Sequence, residues 1–338
     1  MHINDYGPVP NTEHLSGIPA RVTAVHKERY EIVCACGMTY ARLKAGVYYG
    51  GSEEFPTAGD YVMIDHIPNG DSRITATLPR RTFFSRREPG PIPRMQAVAA
   101  NFDYVFLMQS LNQNFNPKRL ERYLTLAWQS GAIPVILLTK ADLTEDPSQQ
   151  LRAVEQVAFG VDTHVVSAHS GQGMEELQRY LQPGKTLVFL GSSGVGKSSL
   201  VNALAGEEVM TVNGIRESDS RGRHTTTHRQ LIRLKSGVMI IDTPGMRELG
   251  VWEVDEGIGE AFSDVERYLG KCRFSDCRHD REPGCAIRAA LACGELSQAR
   301  WESYCRLKEE AVDQAELLRR KQQWHKDIAK FSRQLKKR

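Results

Sequence analysis

The octet Gly191-Ser192-Ser193-Gly194-Val195-Gly196-Lys197-Ser198 constrains this chain most, because it sits between the apolar run Thr186-Leu187-Val188-Phe189-Leu190 and a helix-forming stretch. A short apolar run bounded by glycine reads as a buried strand. Glycines 191, 194 and 196 let backbone N–H groups face one anion, and the helix N-terminus that follows favours negative charge. Lys197 is then placed to bridge the β- and γ-phosphates of a nucleotide and Ser198 to ligate Mg²⁺, with Ser199 beside it in the first helical turn. A chance glycine-rich turn would not match all four fixed positions of this pattern between a strand and a helix.

Three other loops also follow apolar runs. Asp242-Thr243-Pro244-Gly245 follows Met239-Ile240-Ile241, where a carboxylate can hold Mg²⁺ through water and the Gly245 N–H can sense the γ-phosphate. Thr139-Lys140-Ala141-Asp142 follows Val135-Ile136-Leu137-Leu138. The Asp142 carboxylate can accept hydrogen bonds from guanine N1 and N2, donors that adenine does not match, and the Lys140 stem would lie along the base. Ser167 and Ala168 follow the next strand-like run, and the Ala168 N–H could reach guanine O6. Each tetrapeptide alone is an ordinary turn; as a set on successive strands they read guanosine nucleotide. Their order is unusual, since the base-reading loops precede the phosphate loop, whereas a Ras-like GTPase runs the other way. Domain termini often lie close enough to be joined and the chain reopened elsewhere without moving a site, so the order predicts a circularly permuted GTPase. Between the phosphate loop and Asp242, the polar segment Ser220–His228 occupies the place of a switch loop ordered by γ-phosphate and Mg²⁺, with Thr225 or Thr226 as the Mg²⁺-sensing hydroxyl.

With 338 residues, two or three domains are expected. Residues 1–16 read as a tail. Residues 17–80 carry five short strand-like runs broken by glycine and Asn69-Gly70, a spacing that suits an OB-type β-barrel. Such a barrel either binds oligonucleotide or is a packing module. Cys34-Ala35-Cys36 lies at a strand end with no second cysteine pair nearby and reads as structural. Residues 81–94 complete a basic, proline-rich connector beginning at Pro79, in which Arg80, Arg81, Arg86 and Arg87 could reach RNA phosphates. Residues 95–256 alternate strand-like and helix-like runs, an α/β pattern with a mostly parallel sheet. Residues 257–338 form the last region.

In that region Cys272, Cys277, His279 and Cys285 fall within 14 residues and supply four ligands, enough for one closed, structural Zn²⁺ site. Cys293 and Cys305 read as ordinary thiols that could substitute for a ligand. The net charge is only +3, but residues 319–338 hold nine Lys or Arg against Asp327, which is 9 − 1 = +8. Trp324, Ile328, Phe331 and Leu335 mark one helix face there, leaving a basic remainder suited to a polyanion. No apolar run reaches the roughly 18 residues of a membrane span, so a cytoplasmic chain with no membrane partner is expected.

The barrel, the permuted motif order, Gly222-Arg223-His224-Thr225-Thr226-Thr227 and the cysteine cluster together resemble the ribosome small subunit-dependent GTPase A family of bacteria over nearly the whole chain. The resemblance implies a late-acting assembly factor, acting as a monomer, that binds the small ribosomal subunit and its rRNA, uses GTP/GDP with Mg²⁺, carries one Zn²⁺ on the same four ligands, and hydrolyses GTP faster on the subunit. Two positions depart from general GTPase patterns. Thr139 stands where asparagine is common, which predicts a looser base loop, and Met246 stands where Ras-like enzymes place a water-orienting glutamine. The family implies His224 for that task; an exposed loop histidine is the bland alternative. GTP is expected to favour the subunit-bound arrangement and GDP the released one. Two other readings are an ATP-using P-loop enzyme and an RNA-binding zinc protein whose nucleotide is only structural.

Overall fold

The computed structural model describes residues 2–27, 29–49, 54–87, 95–112, 114–210, 229–242 and 255–312. Five strands open the chain: β1 (Ile18–Val25), β2 (Tyr30–Cys34), β3 (Gly37–Leu43), β4 (Tyr61–Asp65) and β5 (Ser72–Thr77), with the short helix α1 (Ala45–Tyr48) between β3 and β4. They pair β1–β2–β3–β5–β4 and β4 returns to β1, so the ring closes into a barrel. Alternation drives closure: Ala20 and Val22 of β1, Ile32 and Cys34 of β2, and Val62 and Ile64 of β4 all turn into one buried cluster.

The connector expected from Pro79 to Arg94 is partly strand. β6 (Phe83–Arg87) pairs antiparallel with β7 (Met95–Ala100), while prolines 89, 91 and 93 lie outside the described residues. Phe84 is buried and stacks on Phe102 at 4.9 Å, which explains why a basic stretch adopts regular structure. Arg80 is not available to RNA: Nε and Nη2 each donate to the fully buried Asp60 carboxylate at 2.8 Å.

The central sheet contains β8 (Tyr104–Ser110), β9 (Ile133–Thr139), β10 (Thr163–Val166), β11 (Thr186–Gly191), β12 (Arg229–Arg233) and β13 (Met239–Asp242). Their order is β10-β9-β8-β11-β13-β12, parallel except for β12. Successive residues of its strands face opposite cores: Val105, Leu107, Ile136 and Val188 join one, Phe106, Met108, Val135 and Leu187 the other. A parallel sheet covered on both faces needs such continuous apolar strands. Helix α2 (Pro117–Gln129) covers the first face, begun by Asn116, whose side chain accepts from the Arg119 N–H at 3.2 Å. Helices α3 (Ser148–Glu155) and α4 (Lys197–Ala205) complete the layer set. β12 also pairs with β1, through Ala24↔Gln230 and Val25↔Arg229, so barrel and α/β sheet run into one another.

Helices α5 (Asp255–Ala261), α6 (Ser263–Glu266), α7 (Ala286–Cys293) and the helical residues 298–312 follow. Arg300 locks them to α2: its guanidinium donates to Glu121 Oε1 at 2.8 Å and to both Asp264 oxygens, and lies 3.9 Å over the Phe262 ring. Burying Arg300 and Glu121 is tolerable because both are hydrogen-bonded, with the half-buried Asp264 as a second carboxylate for the guanidinium. No described helix is long and apolar enough to cross a membrane. The basic tail 319–338 lies outside the described residues.

Candidate functional site

The expected nucleotide loops leave the carboxyl ends of neighbouring strands. β11 ends at Gly191, β13 at Asp242, β9 at Thr139 and β10 at Val166, just before Ser167. In open α/β sheets that edge is where ligands bind.

The phosphate loop is shaped by close packing on one side and left-handed backbone on the other. A Cβ on Gly191 would meet Val195 Cγ1 at 2.9 Å and the Met108 carbonyl oxygen at 3.2 Å, so only glycine fits. Gly196, with φ +100°, turns the chain into α4 at Lys197. Ser192, Ser193 and Gly194 form the open arc of the loop, Val195 anchors it in the core, and Ser198 and Ser199 lie half-buried in the first turn. The Lys197 ammonium reaches Asp242 Oδ1 at 2.5 Å. One cation and one carboxylate thus meet where the loop opens, with Ser198 next to Lys197 in the first turn of α4, residue types that suit a Mg²⁺–phosphate group: oxygen ligands for the metal and an ammonium for the phosphate.

The expected base-reading loops are held by hydrogen bonds of their own. Lys140 adopts φ +61°, a left-handed conformation costing roughly 1–2 kcal/mol for a side chain without local compensation, and this bend presents the exposed Asp142 on the turn Ala141–Leu143. The Ser167 hydroxyl donates to Asp142 Oδ1 and accepts from the His169 and Ser170 N–H groups at 3.2 and 3.1 Å. The Ser167 hydroxyl holds the Asp142 carboxyl below its ordinary value, so it stays ionised as a hydrogen-bond acceptor. Ala168, next along, is half-buried.

Thr139, at the end of β9, spans two of these loops. Its Oγ1 donates to the Val195 carbonyl at 2.6 Å and lies 3.3 Å from the Gln109 carbonyl, so the threonine ties the base-reading loop to the phosphate loop. A hydroxyl reaches across because the strand end brings the two loops into contact, a pairing of residues 56 positions apart that nothing local in the chain signals. Gly245, His224, Thr225 and Thr226 lie outside the described residues.

The second centre brings Cys272, Cys277, His279 and Cys285 together, with all four ligand atoms within 4.8 Å of one another. Separations are 3.9 Å for Cys272 Sγ–Cys285 Sγ and 3.4 Å for His279 Nδ1 to each of those sulfurs. Zinc–sulfur and zinc–nitrogen bonds of about 2.3 and 2.0–2.1 Å in a tetrahedron require edges of about 3.8 and 3.5 Å, so the donor set fits. Cys285 begins α7, and the Ala286 and Arg288 N–H groups point at Cys272 and Cys285 Sγ at 3.4 and 3.5 Å, favouring thiolate. Burial alone would raise the Cys272 thiol, but the Ala286 N–H and the neighbouring thiols bring it below its ordinary value, while burial pushes Cys277 up to about 11. The His279 ring meets Trp301 edge-on at 5.6 Å, packing the cluster on residues 298–312. Cys293 and Cys305 stand outside this group. Cys34 and Cys36, read from the sequence as structural and not as a metal site, lie beside His66, the three ligand atoms within 4.8 Å of one another.

A sequence model of the family described as RsgA GTPase matches residues 77–252. Small ribosomal subunit biogenesis GTPase RsgA 2 of Listeria monocytogenes is 48% identical over 291 residues, covering 86% of this chain and 82% of that protein. RsgA 2 of Lactiplantibacillus plantarum is 42% identical over 303 residues, with coverage of 88% and 85%. Among solved structures, YjeQ from Thermotoga maritima superposes with a TM-score of 0.65 at 26% identity, covering 87% of this chain and 98% of that one. YloQ, described as a circularly permuted GTPase, gives 0.60 at 25% identity, with coverage of 90% and 98%.

Proposed function

The chain belongs to the RsgA GTPase family, a GTP-hydrolysing enzyme on that ground, and from this premise we propose that it binds the small ribosomal subunit, assists its late maturation and turns over GTP faster when bound there. The observation that carries the reading is the convergence of the phosphate loop, Asp242, Thr139–Asp142 and Ser167–Ala168 on one sheet edge, although their order along the chain is permuted. The names of the relatives, small ribosomal subunit biogenesis GTPases, supply the partner.

Asp142 selects guanine through its N1 and N2 donors, Lys140 covers the base and the Ala168 N–H takes O6. The N–H groups of residues 191–199 cradle the phosphates, and Lys197 exchanges its contact with Asp242 for the β- and γ-oxygens. Ser198 and Asp242 hold Mg²⁺, which supplies charge neutralisation across the phosphates. Thr225 or Thr226 and the Gly245 N–H register the γ-phosphate. Because Met246 has no group to orient water, His224 takes that task when the subunit fixes the switch loop. The four ligands of the second centre hold a structural Zn²⁺, and the basic residues 319–338 contact rRNA in the cytoplasm, the chain acting as a monomer.

GTP turnover of His224→Ala, with and without small subunits, tests the mechanism. Nucleotide binding should persist while stimulated turnover falls by about 100-fold, the scale of a misplaced reacting group; unchanged stimulated turnover removes His224 from the role. Binding to subunits with GDP and with a non-hydrolysable GTP analogue tests the switch. Equal affinities would remove it, since a ligand shifts an equilibrium only by its differential affinity.

A further inference from the structure

Three chain segments meet at the barrel rim where β1 begins. Ala20 of β1 lies opposite Cys34 at the end of β2, and Ile18 lies opposite Ile64 near the end of β4, so the β2–β3 turn and the exit from β4 share this rim. The turn carries Cys36 and the exit carries His66. The Cys34 thiol, the Cys36 thiol and a His66 ring nitrogen all lie within 4.8 Å of one another. Packing accounts for Cys34, which is buried in the barrel, but not for Cys36, which is exposed yet turned back toward it. His66 is also held in place: the Ser72 hydroxyl lies 3.3 Å from Nδ1 and accepts from the Ile67 N–H at 3.3 Å. An oriented histidine with an outer hydrogen-bond partner is the arrangement metal-binding imidazoles use.

We propose that Cys34, Cys36 and His66 form a second metal site, on the barrel rim and separate from the Cys272–Cys285 cluster, that takes a thiophilic d¹⁰ cation. Two thiolates and an imidazole select Cu⁺ or Zn²⁺ over hard cations. Bonds of about 2.3 Å to sulfur and 2.0–2.1 Å to nitrogen, spread in a trigonal plane, place donors about 3.7–4.0 Å apart. From separations of at most 4.8 Å the site must contract by about 1 Å at most. Each thiol that binds releases its proton to solvent. Three donors complete the coordination of Cu⁺, whereas Zn²⁺ takes a water as the fourth ligand. With Zn²⁺ the rim therefore holds an open position, in contrast to the closed four-ligand cluster.

The test is metal stoichiometry of the full, reduced chain titrated with Zn²⁺ and, separately, with Cu⁺ in competition with a chelator, reading metal per chain and thiolate-to-copper absorption. Wild type should hold two equivalents of at least one of the two ions; which ion fills the rim identifies the cation. Cys36→Ser and His66→Ala should each hold one, and Cys277→Ala should keep the rim metal. Ser72→Ala should weaken the second equivalent by about 10–100-fold without removing it. Cys36 is exposed and His66 half-buried, so both variants should keep wild-type basal GTP turnover, which separates lost metal from lost fold. A single equivalent in wild type with both ions, retention of the second equivalent in Cys36→Ser and His66→Ala, or a Cys34–Cys36 disulfide as the only product under these conditions would overturn the site.

Discussion

Replacing Thr139 with valine keeps the shape of the side chain and deletes its donor, which makes it a clean probe of the tether between the two nucleotide loops. Thr139 is 5% exposed, and its hydroxyl is 2.6 Å from the Val195 carbonyl. Depriving a buried carbonyl of its partner costs about 1–3 kcal/mol. If that energy holds the loops in binding geometry, affinity falls by about 5- to 150-fold, since about 1.4 kcal/mol is a factor of ten. The loss should be equal for GTP and GDP, because base and α,β-phosphates are common to both and the tether lies between their loops. Fluorescent-nucleotide titration of wild type, Thr139→Val and Thr139→Asn reads it directly, with urea unfolding in parallel. Asparagine, which can donate from the same place, should restore most of the affinity. If Thr139→Val loses stability in urea but binds both nucleotides as wild type does, the hydrogen bond serves the fold alone and the tether argument fails.

Asp142→Asn should lower GTP affinity at least tenfold, on the scale of one lost charged hydrogen bond of about 1.5–3 kcal/mol, and improve binding of xanthosine triphosphate, whose C2 oxygen accepts from an amide; competition binding decides. Because the Ser167 hydroxyl depresses the Asp142 carboxyl, guanine preference should hold from pH 7 to pH 5 and fade only as pH falls through a value below the ordinary carboxylate pKa of about 3.9; loss of preference between pH 6 and 5 would assign base reading elsewhere. Cys277→Ala should remove one zinc per chain by metal analysis and lower the unfolding temperature, and a chelator should do the same to wild type. Arg80→Ala should destabilise the fold by about 3–5 kcal/mol in denaturant, because it strands the buried Asp60 carboxylate, and leave RNA affinity of the folded protein unchanged.

What could be read from the sequence were features with local causes. Strands β1 to β5, β8 to β11 and β13 announce themselves by short apolar or alternating runs, and the phosphate loop by its glycines, whereas β12, Arg-Gln-Leu-Ile-Arg, carries no such signal and is a strand because it pairs with β13 and β1. The metal cluster was legible because its four ligands lie within 14 residues of each other. What was not legible depends on pairs distant in sequence. The Arg80–Asp60 pair spans 20 positions and turns an apparent RNA contact into a core ion pair; Thr139–Val195 spans 56, and Arg300–Glu121 spans 179. Nor does a basic, proline-rich stretch reveal that Phe84 will stack on Phe102 and draw residues 83–87 into a ribbon. His66 is separated from Cys34 by two strands, β3 and β4, and joins it only when the barrel closes.

The same closure bears on how a change at the nucleotide reaches the flanking modules. Asp242, the expected Mg²⁺ carboxylate, pairs across the sheet with Gln230 of β12, and Gln230 pairs in turn with Ala24 of the barrel. Two ladder steps therefore separate the phosphate end of the site from β1. On the other side, α2 lies between β8 and β9, whose end carries Thr139, and α2 is the helix to which Arg300 docks the cysteine-bearing region through Glu121. Reopening the chain between the Asp242 loop and the Thr139 loop, with the former ends joined between Ser167–Ala168 and the phosphate loop, places β12 and β13 late in the sequence, against the barrel on one side and with residues 255–312 following on the other. Rigid contiguity of this kind can carry coupling only if an element along it has two arrangements that nucleotide biases. The antiparallel strand β12 is the element placed to do so, because it directly follows the expected switch segment and pairs on both sides, so any change in its register must be shared with both Asp242 and the barrel.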